Sequence, residues 1–546
     1  KTLLEEDGVQ PLVAALKATK SKTATAPAEV TRQQAAAAIS LLAHNNGKSQ
    51  QVIAQAGGIE PLIQILLPDR ADSIESREHA AAALSDLALL QPNRVTIVEG
   101  GGIDPIVLLL KEGASNGKRN AAAALARLAT GSDEIATAIA HAGAIAPLVD
   151  LLSGAHGDGA QEEGADALFA LAGNEGNRLA ITEVGGIGPL VVLLGSTNSK
   201  ARGHAEGALV RLSIESANRA IIIKKLVGML HVEEGHSGDA GAQEQAAAAL
   251  ANLASDSAEN RMSIVDAGGI EPLLTLLKNE SRLAMENAVS AITQLAYKSD
   301  KIQRAIADVG GIPLISNVLV SASSNVKEMA AAAQLCSKAA RAISQLAERN
   351  KENQDKISEA GAIQPLVAML GSPNPEHQAN AALALSELSA GNQANQAAIA
   401  RTGAIAPLCT LVREGTEPEV REQSAAALWS LAADNSANKA TVAKLGGIEP
   451  LVTLLVSGGS ESSHANTIGA LAALCSKHVE NRETIAKLLV ARMNSRMAML
   501  QTPGGATRVL SAVSQLCQSN SANQIAMAKA GGVPPLIMWL SGGFDA

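Results

Sequence analysis

A chain of 546 residues exceeds the roughly 100–200 residues that one hydrophobic core organises, so it holds several domains or an elongated repeat architecture. With 47% hydrophobic, 18% charged and 1% aromatic residues, the composition excludes a disordered chain. It also argues against base-stacking nucleic-acid readers, aromatic cages and large stacked cofactor pockets. The net charge of −9 is concentrated in residues 51–300, where 18 Lys and Arg face 31 Asp and Glu. A body of that sign repels phosphate backbones, so no nucleic-acid partner is expected.

Taken in chain order, the predicted elements recur. Gly8-Val9-Gln10-Pro11-Leu12 is the first copy of a signature, G-[GA]-[IV]-x-P-L. It returns around Pro61, Pro105, Pro147, Pro189, Pro272, Pro365, Pro407, Pro450 and Pro535, with a copy one residue short at Gly311-Ile312-Pro313-Leu314. Two proline steps, of 83 and 85 residues, are each two units long. A second anchor fills them: Asn at 177, 218 and 260, and again at 353, 395, 438, 481 and 523. Asn218 and Asn481 mark units whose Gly-Ile-Pro signature is lost, near Leu226 and Leu488. Thirteen anchors emerge, near residues 8, 58, 102, 143, 186, 226, 269, 311, 361, 403, 447, 488 and 532.

Each unit reads as three helices. A short first helix is expected to run from the Asn, as in Asn260-Arg261-Met262, with the Asn side chain as its N-cap. A Gly pair then reverses the chain, because Gly tolerates φ > 0. Pro272 stands in the first turn of the second helix, where its missing N–H costs nothing. The third helix is Ala-rich, as in Gln245-Ala246-Ala247-Ala248-Ala249-Leu250, with apolar residues at helical spacing. A unit of about 42 residues buries its apolar face only against neighbours, which makes a solenoid.

The period, the G-I-x-P-L-V-x-L-L second helix and the A-A-A-L-x-x-L-A third helix together resemble armadillo repeats across essentially the whole chain. The resemblance is nearer to plant U-box armadillo proteins and the yeast vacuolar armadillo protein than to importin-α. It implies an all-α, right-handed superhelical solenoid of about twelve three-helix repeats plus a partial thirteenth, with residues 1–546 as one domain. It further implies a concave groove lined by third helices, where family members bind extended peptides or protein partners. Importin-α-like proteins place a Trp and an Asn four residues apart on each third helix. At the Asn-type position this chain has Leu41, Asp86, Arg127, Ala170, Arg211, Asn252, Gln294, Gln345, Glu387, Ser430, Ala473 and Gln515, and only Asn252 matches. The Trp-type position holds mainly Ala, such as Ala82, Ala123, Ala248 and Ala426, so no aromatic shelf and no classical import receptor is expected.

The candidate partner-binding residues are therefore Asp86, Arg127, Arg211, Asn252, Gln294, Gln345, Glu387 and Gln515, which would select partner charge along the groove. The alternative reading is a solvated face. Trp539, near the end of the last partial repeat, is the candidate for an end-to-end contact with a neighbouring subunit. Three departures from the period stand out: a basic loop from Lys17 to Pro27, a His- and acid-bearing loop from His231 to Asp239, and a stretch from Val326 to Glu348. The last suggests an elongated or kinked helix. Met493, Met497 and Met499 cluster in the degenerate twelfth repeat, where core filling and adaptable contacts are the two readings.

The four cysteines, at 336, 409, 475 and 517, lack metal-ligand spacing and read as small core residues of a protein in a reducing, cytoplasmic setting. The start of the chain does not read as a signal peptide, and no apolar run approaches the roughly 20 residues of a membrane span. No H-E-x-x-H, P-loop or G-x-S-x-G is present. The expectation is a non-enzymatic scaffold without cofactor or metal that binds other proteins or peptides. The alternatives are a structural subunit of a large axonemal or organellar assembly and, third, a transport receptor.

Overall fold

The structure is a computed structural model that describes residues 6–18, 28–68, 72–231, 240–279, 281–322, 332–457, 459–495 and 505–541. Most of the basic loop, nearly all of the loop after His231, and Met497 and Met499 lie outside the described residues, as does the Trp539 side chain. Two compact units are distinguished, Lys1–Leu250 and Ala251–Ala546. Both are built of helices, with no strand among the described residues.

In the first unit the chain repeats two short helices and a longer one, as in Gly47–Gln55, Ile59–Leu66 and Ile74–Leu87. The third helices pack on one another in succession: Ala28–Ala43, Ile74–Leu87, Ser115–Ala129, Asp158–Leu171 and Ser199–Leu212. Their contact faces are largely alanine. Ala80, Ala81, Ala83, Leu84 and Leu87 are all fully buried. Alanine allows these helices to approach closely and costs the least helix propensity. The second unit stacks Arg282–Ala296, Ala333–Ala347, Pro375–Ser389, Pro418–Ala432, Glu461–Cys475 and Gly505–Cys517 in the same way. The phrases Gln334-Leu335-Cys336 and Gln345-Leu346-Ala347 both fall in one 15-residue third helix, Ala333–Ala347. The residues ahead of it, 323–331, lie outside the described set.

The reversal between first and second helices is a Schellman turn. Gly57 has φ +77°, its N–H donates to the Ala54 carbonyl, and the Gly58 N–H donates to the Ile53 carbonyl at 3.0 Å. A Cβ at Gly58 would stand 2.8 Å from Ile53 Cγ2, so the second glycine permits the close turn. Repeats with Ala at that position show the cost: Ala144, Ala362 and Ala404 make the equivalent bond at 3.4, 3.4 and 3.3 Å, against 2.8–3.0 Å for glycine at 58, 102, 186, 269, 447 and 532.

Two expectations are corrected. Units that lost the Gly-Ile-Pro signature do not have three helices. Their first and second helices are fused into single helices, Ser216–Leu230 and Val479–Asn494, because no residue there imposes the reversal. Further, the periodic Asn does not cap the first helix. The cap lies three residues earlier: Asn174, Ser257, Asn350, Asn392, Asn435, His478 and Asn520 accept the N–H of the periodic Asn.

The periodic Asn instead joins repeats. The Asn395 amide donates to the Leu388 carbonyl at 3.0 Å and to the Gln354 carbonyl, one repeat back, at 3.1 Å. Asn177 does the same with Leu171 and Ala136, and Asn481 with Leu474 and Lys439. Each thus satisfies an otherwise orphaned carbonyl at the end of the preceding third helix. The next residue extends the seam. Gln354 donates to the carbonyls of Ala347, Glu387 and Ala390, spanning the ends of two third helices.

Candidate binding face

The third helices turn their buried side toward the core and leave one row of side chains at their outer face. In the first unit that row is partly self-occupied. Asp86, buried on Ile74–Leu87, meets Arg127 Nη1 of Ser115–Ala129 at 3.1 Å, and His44 Nδ1 stands 3.4 Å from its other oxygen. Arg127 also donates to Ser85 Oγ at 2.5 Å. These two candidates therefore form one cross-repeat ion pair. They border a cleft of about 350 Å³ whose other walls include Arg119, Glu162 and Glu163. Burial pushes the Glu163 carboxyl up, with Asp166 and Glu162 adding and Arg127 opposing. His204 is held above its usual range by its hydrogen bond to Asp166.

Arg211 is spent differently. Its Nη1 donates to the Phe169 carbonyl at 2.6 Å, and its guanidinium lies 3.7 Å from the centre of the Phe169 ring. Leu41 is 79% exposed, Ala170 is half-buried, and Asn252 is exposed on Ala240–Asp256.

In the second unit Gln294 and Gln345 are half-buried, and Gln345 Oε1 is a buried acceptor with no partner among the described residues. Gln515 is exposed and bonds Ser511 within its own helix. Ser430 Oγ lies 3.0 Å from Ser386 Oγ. Burial, aided by the negative field of Glu348 and opposed by Arg349, pushes the Glu387 carboxyl from its usual 4.5 up to about 7. A carboxyl raised by folding binds its proton more tightly in the native state. Its contribution to stability is then full below pH 4.5 and lost as the pH rises through about 7. Glu387→Gln is expected to flatten that window and to raise stability at pH 8 by about 1–3 kcal/mol. Urea titrations of both proteins at pH 4.5, 6 and 8 check this; a parallel pH dependence in the variant refutes it.

Two residues beside the row were not singled out from sequence. Phe169 and Trp429 each precede a row residue and lie against a glycine of the next third helix, Gly207 and Gly469. Register arithmetic reveals them, because 38 and 40 residues separate the partners, close to one period. The thiols of Cys336, Cys409 and Cys475 are buried, Cys517 is half-buried, and all four are free. Burial pushes Cys475 up to about 12. Met493 is fully buried and fills the core. Among the described residues no single helix is long and apolar enough to cross a membrane.

A family model for the plant U-box protein ARM repeat region matches residues 276–545. Over that stretch the chain is made of armadillo repeats. U-box domain-containing protein 12 of Arabidopsis thaliana is 39% identical over 95 residues, 17% of this chain and 14% of the plant protein. The alignment thus spans a small part of that relative's length. The crystal structure of an engineered protein is 29% identical, with a TM-score of 0.54, covering 86% of this chain and 99% of that one. A designed armadillo repeat protein is 27% identical over 46% of this chain and 99% of its own, with a TM-score of 0.41. The all-α solenoid class and the armadillo resemblance both stand.

Proposed function

We propose that this protein is a non-enzymatic interaction scaffold that takes a partner protein or extended peptide on its third-helix face. The supporting observation is the chemistry of that face. Beside alanine-packed helices it carries charged side chains about one repeat apart, His44, Asp86 and Arg127, which with Glu163 bound the cleft. Such a row selects a ligand by charge and register along its length. The same proposal places the protein in the cytoplasm, supported by four free cysteines.

The test is a photo-crosslinking residue at Leu41, Asn252 or Gln515, on third helices, compared with one at Leu179, on a first helix. Leu41 and Leu179 are 79% and 51% exposed. A partner captured at the third-helix positions, then purified and shown to bind the intact chain, is the expected result. Adducts confined to Leu179 overturn the reading.

A further inference from the structure

The two aromatic stations of the third-helix face are built alike and occupied differently. In the first unit Phe169 lies against Gly207, where a Cβ would stand 2.9 Å from ring atoms Cδ2 and Cε2. Arg211, four residues beyond that glycine, covers the ring at 3.7 Å and anchors itself on the Phe169 carbonyl at 2.6 Å. In the second unit Trp429 lies flat on Gly469, where a Cβ would stand 2.5 Å from Cδ2 and 2.7 Å from Cε2. The residue four beyond that glycine is Ala473. The aromatic platform is retained and the guanidinium is absent: among the described residues no cation stands over the Trp429 ring, and the side chain is 42% exposed.

The neighbouring third helices offer no cation of their own. The third helices Pro375–Ser389, Pro418–Ala432 and Glu461–Cys475 carry five Glu and one Arg. That Arg, Arg421, is turned away to the Gly415 carbonyl at 2.7 Å. We propose that Trp429 is a stacking site for an arginine side chain of a partner protein, which takes in the second unit the place that Arg211 holds in the first. This rests on the reading of the third-helix face as a binding face. Indole is the strongest of the aromatic platforms for a guanidinium. Gly469 matters because a side chain there would lift the indole off the helix.

The probe is a dye-labelled, capped Gly-Arg-Gly-Arg-Gly-Arg-Gly peptide and its citrulline counterpart, which keeps the planar shape and loses the charge. Anisotropy is read with the full chain at low salt. The arginine peptide is expected to bind at least tenfold more tightly than the citrulline one. Trp429→Ala, Gly469→Ala and Ala473→Arg, the last filling the platform from within, are each expected to weaken it at least fivefold, and Trp429→Phe to recover most of the loss. Circular dichroism verifies folding, and Ala473→Arg decides the matter should the tryptophan variant not fold. Equal affinity for both peptides, no arginine-dependent binding, or unchanged affinity in Ala473→Arg overturns the proposal. Failure here leaves the broader reading to the crosslinks at Leu41, Asn252 and Gln515, which do not involve Trp429.

Discussion

Asn395→Asp is expected to be among the most damaging single substitutions in the second unit, although it removes no apolar area. The Asn395 amide is buried and donates to two backbone carbonyls, of Leu388 and Gln354. A carboxylate there would offer acceptor to acceptor and carry an unpaired charge into the core. Alanine at the same place leaves both carbonyls without this donor. Each buried group left unsatisfied costs about 1–3 kcal/mol, so about 2–4 kcal/mol is expected for Asn395→Ala and more for Asn395→Asp. Asn392→Ala, which removes the true cap and amide bonds to side-chain oxygens of Gln354 and Asp355, should cost less, about 1–2 kcal/mol. Trp429 and Trp539 both lie in the second unit, so tryptophan fluorescence in urea reads its unfolding directly. If Asn392→Ala proved the more damaging, the periodic Asn would not be the seam between repeats.

Arg127→Glu is expected to destabilise the first unit by about 3 kcal/mol. The change removes the only ion-pair partner that Asp86 has among the described residues other than a histidine, and sets a second carboxylate against it, beside Glu163. Breaking a buried pair costs about 3–5 kcal/mol, and the 29% exposure of the Arg127 side chain moderates that figure. Amide hydrogen exchange at Leu125 and Leu128 in the same helix checks it. Asp86→Asn combined with Arg127→Met should recover much of the loss, because both charges leave together. Full additivity of the single changes would disprove coupling. A charge reversal at this position therefore reports on folding before it reports on any partner.

The repeat period and the second helices were legible because they rest on residues with few conformational choices. Proline fixes φ, and glycine alone takes the reversal at φ +77° without strain. The Asn looks like a cap in sequence because the capping position is filled variously by Asn, Ser and His, whereas the residue three places later is Asn in most repeats, with Ser49, Ile135 and Ile302 as exceptions. Only the acceptors, carbonyls in the preceding repeat, explain that recurrence. The candidate row was legible as a row and not as pairs. Asp86 and Arg127 are 41 residues apart and Phe169 and Arg211 are 42, so neighbours on adjacent third helices were already implied by the period. What sequence could not supply was depth: Glu387 and Gln515 share a register, yet one is buried enough to hold its proton near neutrality and the other is in solvent.

The seam between repeats has a consequence for how such a chain changes length. Every acceptor of the periodic Asn is a backbone carbonyl, present whatever side chain stands there. A duplication or loss of one whole period therefore brings an Asn against carbonyls it can use. At this seam recombination between copies needs no compensating substitution, whereas side-chain pairs such as Phe169 with Gly207 and Trp429 with Gly469 must be kept together.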